Sequence, residues 1–307
     1  MLKQLTVRQL RLSSRTRRQW RKNLQGWALA SPFLIGFLGL WLYPMLYSVW
    51  LTGQSWDLLT PPEFVGFENF RILISDSKVL KALGNTAFFT FLGVPVRLIL
   101  ALILALALNV ELRGRTLYRT IFYLPTVTPA VASAVVWMQI FHTEFGILNN
   151  VLKVFGVPAI KWLWDPQVAK PAFILMTCWT IGAPMIIFLA GLQGVPVTLH
   201  EAARIDGAGR WKRFLNITMP MMSPVVFFNL VMGIIGSFQV FTAAYVMTGG
   251  GPQDATLFFV LYVYRNGFQY FKMGYASLLA WVLCLIIVFF TLIQFRMGSR
   301  WVYYEAA

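Results

Sequence analysis

HEAARIDGAGRWKRFLNITMPMMSP, residues 200–224, is the stretch whose reading decides the fold. Glu201-Ala202-Ala203 reads as helix, since alanine is the strongest helix former and glutamate a good one. Gly207 and Gly209 are free to take positive φ, so both are expected to break that helix sharply. Arg210, Lys212 and Arg213 follow, and Pro220 and Pro224 open a long apolar run. A short helix lined with small residues therefore sits on a basic loop between two apolar segments. It is too short to cross a bilayer. It suits a membrane surface, where it would offer a flat alanine face to a soluble partner.

The apolar segments on either side set the class. Six runs, at about 27–50, 85–109, 121–141, 172–192, 221–244 and 275–296, each approach the roughly 20 residues needed to cross the hydrocarbon. The chain is 58% hydrophobic and 12% charged, whereas a soluble domain carries about a quarter charged residues. Its 307 residues would allow two soluble domains, but the runs argue for one all-α membrane domain of six transmembrane helices. Pro125 and Pro129 interrupt the third run, and Gly182 and Pro184 are expected to break or kink the fourth. Kinked helices in transporters often line a pathway, where neighbours or water satisfy the freed backbone groups. The net charge of +15 raises a nucleic-acid reading, which the placement of the charges in short segments beside apolar runs excludes. Cys178 and Cys284 lie inside apolar runs and imply neither a disulfide framework nor a metal site.

Charge also orients the chain. Residues 1–26 carry eight basic residues and no acid, and the run behind them is too long for a signal-peptide core. This reads as a basic cytoplasmic tail followed by an uncleaved first transmembrane helix, 27–50, and an external loop, 51–84. With the amino terminus inside, the inner segments hold seventeen lysines and arginines against eight outside. Both termini and the 200–224 stretch are then expected in the cytoplasm.

The pattern E-A-A, then D-G-A, then I-x-x-P is carried here by Glu201, Ala202, Ala203, Asp206, Gly207, Ala208, Ile217 and Pro220. It resembles the coupling loop of the integral membrane permease subunits of binding-protein-dependent ABC importers. The resemblance is closest to their carbohydrate branch, maltose-permease-like and glycerol-phosphate-permease-like. Phe64-Val65-Gly66-Phe67-Glu68-Asn69-Phe70 and Thr248-Gly249-Gly250-Gly251-Pro252 resemble two further segments of that branch. The resemblance covers about residues 27–300, with the importer transmembrane domain at 85–300 and the coupling loop at 196–220. It implies a type I importer permease fold in the inner membrane. It also implies a homologous second permease, two ATP-binding subunits that hold ATP and magnesium, and an external solute-binding protein delivering a sugar. Coupling to the ATPase would fall to Glu201, Ala202, Ala203, Asp206, Gly207 and Ala208. Aligned on that branch, Trp179, Thr180, Gly233 and Ser237 fall near sugar-contacting positions, although the residue types differ.

Catalysis has little footing. His142 and His200 lie in different loops, and no nucleotide-binding, serine-hydrolase or zinc-protease string occurs. No metal site and no catalytic residue is expected. Tryptophans beside the spans, Trp162 and Trp164 among them, read as interface anchors. Arg97 is the one basic residue well inside a span, which marks it for function, for snorkelling or for pairing with a partner subunit. Sequence alone does not assign it to substrate. Two other classes stay open on residues alone: an ion-gradient-driven transporter, which would need mid-membrane ionisable groups, and a non-transporting membrane scaffold, which would need no coupling helix.

Overall fold

The computed structural model describes residues 19–20, 22–110 and 113–303. Most of the basic tail, residues 1–18 and 21, lies outside the described residues. Among the described residues four helices are long and apolar enough to span a membrane, and two bent pairs bring the number to six if each pair is one span. Helix α1 runs Lys22–Leu51. An antiparallel pair, β1 (Gln54–Ser55) with β2 (Glu63–Phe64), follows it, so the external loop is not wholly helical or irregular. Then come α2 (Glu68–Ser75) and α3 (Ser77–Leu108). The second span starts at Ser77 rather than at 85, because the Asp76 carboxylate accepts from the Lys78 amide and caps the helix early.

The third run is two helices, α4 (Arg115–Val127) and α5 (Ala130–Ile140), bent by 101° at Thr128-Pro129. The bend falls where Pro125 and Pro129 were expected to interrupt the run: Pro129 has no amide proton to carry the α4 ladder forward. After α6 (Ile147–Val154), the fourth run divides into α7 (Pro166–Thr177, continued by a 3₁₀ turn to Thr180) and α8 (Gly182–Gln193), bent by 49°. Gly182 sits at that break for a packing reason. A Cβ there would stand 2.2 Å from the Phe122 carbonyl oxygen, so two backbones meet where no side chain fits.

Helix α9 (Val197–Ile205) leads into the fifth span, Arg210–Met247, whose central helix α10 is Met219–Phe238. Pro224 leaves the Pro220 carbonyl without its helical donor, and the Ser223 hydroxyl fills it at 2.6 Å. The same oxygen of Ser223 accepts from the Tyr303 amide, 2.8 Å away, tying the far end of the chain to the start of α10. Short helices α11 (Thr242–Met247) and α12 (Phe259–Tyr264) precede the last span, α13 (Met273–Trp301).

The core lies where α3, α8, α10 and α13 pack, around the fully buried Phe173, Phe188, Met185, Met222, Phe238 and Leu279. One end of the bundle is tied tightly. Asn69 is 6% exposed and donates to the carbonyls of Thr52 and Gln54. Asn85 donates to those of Asp254 and Leu257, and the Phe259 amide to the Thr86 hydroxyl. Asp76 accepts from Tyr262 at 2.5 Å and Tyr275 at 2.7 Å. Burial by itself raises the Asp76 pKa, but these hydroxyls and the Lys78 and Val79 amides outweigh it and hold the carboxyl below its ordinary value of 3.8. The glycine-rich segment belongs to this lattice: Thr248 and Thr256 share a hydrogen bond, and Thr256 donates to Gly251. Trp162 is partly buried and donates its ring N–H to Asn149 Oδ1, while Trp164 is exposed.

Candidate functional site: an exposed helix cap and a central arginine cavity

Two places combine the residues singled out by sequence. The first is α9. Its end is a Schellman cap, in which the Ala208 amide donates to the Ala203 carbonyl at 2.8 Å and the Gly207 amide to the Arg204 carbonyl at 3.1 Å. Gly207 takes φ +75°, the left-handed conformation such a cap needs. Gly209, with φ −67° and ψ 168°, is extended, so the expectation of positive φ there is corrected; it precedes the next helical turn at Arg210. Ala203 and Ala208 are half-buried against the turn they close, while Glu201, Ala202, Arg204 and Asp206 are exposed. Much of the E-A-A…D-G-A string is thus the recipe for a rigid, sharply ended helix. Sequence reasoning missed Ile205, which is 87% exposed at the helix end. An isoleucine in an otherwise polar turn was the signal available.

The second place lies between α3, the α7–α8 break and α10. Two cavities of about 200 and 180 Å³ share Arg97, Val94, Met232 and Gly233 in their walls. Thr177 and Ser237 line the first, Pro184 and Asn229 the second. Arg97 reaches across and donates from Nη2 to the Thr180 carbonyl at 2.9 Å. That carbonyl is free for a covalent reason. In a continuous helix it would accept from residue 184, which here is proline and has no amide proton. The Arg97 Nε is buried without a hydrogen-bond partner.

The four residues placed near sugar-contacting positions separate. Gly233 and Ser237 line the first cavity with Arg97. Gly233 does so by close approach, since a Cβ there would stand 2.9 Å from a Val94 methyl. Ser237 donates to Thr90 Oγ1 at 3.0 Å, with the Ile234 carbonyl equally near. Trp179 is 45% exposed and packs edge-on against Trp137, with centroids 6.1 Å apart, outside both cavity walls. The Thr180 hydroxyl folds back onto the Thr177 carbonyl, so it is the backbone of Thr180, not its side chain, that faces Arg97.

A rigid, exposed amphipathic cap on a loop of a multi-span bundle with broken central helices is the construction of a transport subunit. Residues 77–302 match the family described as binding-protein-dependent transport system inner membrane component, and the chain belongs to that family. It is 42% identical over 289 residues to a probable ABC transporter permease protein, YesP, of Bacillus subtilis, covering 92% of this chain and 93% of that one. It is 32% identical over 258 residues to the sulfoquinovosyl glycerol transport system permease protein SmoG of Agrobacterium fabrum, covering 83% and 84%. Among solved structures, a bacterial ABC transporter involved in import of the acidic polysaccharide alginate superposes with TM-score 0.79 at 25% identity, covering 92% of this chain and 99% of that one. The fold is that of a type I ABC importer permease, and the protein is a multi-pass component of the plasma membrane. The gradient-driven and scaffold readings fall with that membership.

Proposed function

We propose that this permease forms half of the translocation pathway of a sugar importer and receives the ATPase stroke through α9. The observation that carries the coupling role is the shape of α9. It is a short, sharply capped helix whose outward residues, Glu201, Ala202 and Ile205, find no covering group among the described residues. A rigid helix seated in a partner's groove transmits a rigid-body displacement that a flexible loop would dissipate. Glu201 offers a charge to a basic residue of that partner. Asp206 and Gly207 turn the chain back toward the bundle, and Ala202, Ala203 and Ala208 keep the surface low enough for close approach. The partners are a second, homologous permease, two ATP-binding subunits that carry ATP and magnesium, and an external solute-binding protein. Both termini lie in the cytoplasm on this reading. The sugar assignment draws on the relatives, named for sulfoquinovosyl glycerol, arabinooligosaccharide, lactose and trehalose/maltose transport. ATP-driven closure of the ATPases moves α9 and opens the central cavity outward, and hydrolysis resets it.

The test is solute uptake by the assembled complex in proteoliposomes, with native protein against Glu201→Lys combined with Gly207→Pro. ATP-dependent uptake of a sugar, abolished in the double variant while the complex still assembles, is the expected result. Uptake that ignores ATP, or that survives the double substitution, would remove the coupling role.

A further inference from the structure

The Arg97 cavity carries more than a pathway wall. A guanidinium within a membrane span is costly unless its charge is answered, and among the described residues no acidic side chain answers it. All eleven aspartates and glutamates lie outside the six apolar runs. Among the described residues the one ion pair is Arg265 with Asp254, at 3.9 Å. Arg97 has a single acceptor, the neutral Thr180 carbonyl, and its Nε is buried and unmatched beside the cavity. The surroundings leave room for a ligand. Gly93, Gly233 and Gly236 keep the walls low, and Thr177 and Ser237 add hydroxyls.

A second observation points the same way. Lys170 stands over the Phe88 ring at 5.1 Å, with its amine 3.3 Å from Asn85 Oδ1. Lys81, one turn further out on α3, is held by the Gln253 carbonyl at 2.5 Å. Neither has an acidic partner among the described residues. Lys81 and Lys170 therefore stand near one another toward the start of α3, and Lys81 is about 24 Å along that helix from Arg97 at 1.5 Å per residue. A pair of like charges at the approach to a cavity draws in the opposite charge.

We infer that Arg97 is the specificity-determining contact for an anionic sugar, taking its carboxylate, sulfonate or phosphate on the Nε side of the guanidinium, with Lys170 and Lys81 steering the solute inward. This rests on the importer reading and names the substrate class of the same site. The planar fork of arginine suits such groups, which accept two parallel hydrogen bonds from it.

The test uses the full complex in proteoliposomes with digalacturonate, a glucose phosphate and a sulfoglucose, each beside an uncharged counterpart: digalacturonate dimethyl ester for the first, glucose for the others. The expected result is ATP-dependent uptake of at least one acidic member in preference to its neutral counterpart. Arg97→Gln should lower that uptake about ten- to hundred-fold, the loss of one charge-assisted contact. Arg97→Lys should restore part of it, and raised salt should slow uptake more in native protein than in Lys170→Gln. Uptake confined to neutral sugars, acid uptake untouched by Arg97→Gln, or parallel loss of acidic and neutral uptake would overturn the inference while leaving the importer reading standing. Absence of ATP-dependent uptake of every sugar would take both down.

Discussion

The α9 loop and the Arg97 cavity differ in the range of the contacts that make them. In α9 the shaping hydrogen bonds span three to five residues, from Ala202 to Asp206 and from Ala203 to Ala208. At the cavity, Arg97 meets Thr180 across 83 positions, and Ser237 meets Thr90 across 147. The first region is shaped by contacts within its own segment and turns most of its side chains outward. The second exists only once three spans have packed. Substitutions at long-range sites should therefore be felt in the stability of the permease, and those in α9 chiefly in the work the complex performs.

The largest effect should come at the α7–α8 break. Gly182→Leu places a side chain where even a Cβ would lie 2.2 Å from the Phe122 carbonyl oxygen, an atom of the backbone that has little freedom to yield. Overpacking of this kind costs about 3 kcal/mol or more. Thermal unfolding of the purified complex in detergent should show a large drop in Tm or no recoverable complex; a Tm within error of native would erase the contrast between the two regions.

A smaller loss is expected at Asp76, where the span start is tied to residues 186 and 199 positions away. Its carboxyl sits below the usual range in the folded chain. The stabilisation it provides is then fully present above the unfolded value of 3.8 and is lost as pH falls through the lower folded value. Tyr275→Phe should cost about 1.5–3 kcal/mol by removing one hydrogen bond to a charged group. Unfolding profiles of native protein and Asp76→Asn should converge as pH falls below the folded pKa of this carboxyl. If the gap between them stays constant across acid pH, the carboxylate is not the stabilising species.

The smallest effect on stability, and the sharpest separation of the regions, should be at Ile205. Being exposed, Ile205→Ser should change unfolding free energy by no more than about 0.5 kcal/mol. Uptake, and co-purification with the ATP-binding subunit, should nonetheless fall together. A variant that unfolds early but keeps its partner would reverse the assignment of α9 to the interface.

The legibility of each region in the sequence follows the same division. The helix over Glu201 to Ile205 and the turn at Gly207 are local, so residue types and spacing state them directly. Gly209 was misread because two glycines near a helix end look alike on paper; which one becomes C′ depends on where the ladder stops. The proline breaks were visible as prolines, but not that the first would bend by 101° or that the second would release a carbonyl to Arg97. Trp179 and Thr180 drew attention by position along the chain, and the packing turned the indole toward Trp137 and the hydroxyl back into its own helix.

By itself the sequence determined six apolar segments, their charge asymmetry and a capped helix on one loop. These rest on hydropathy and on hydrogen bonds a few residues long, both of which are properties of the chain read in order. Only the tertiary structure decided that Arg97 would face a cavity with Ser237 and Gly233. Residues on different spans come together through the rotation and bend of each helix, and those are set by how side chains and glycine-to-backbone contacts interlock once the helices pack.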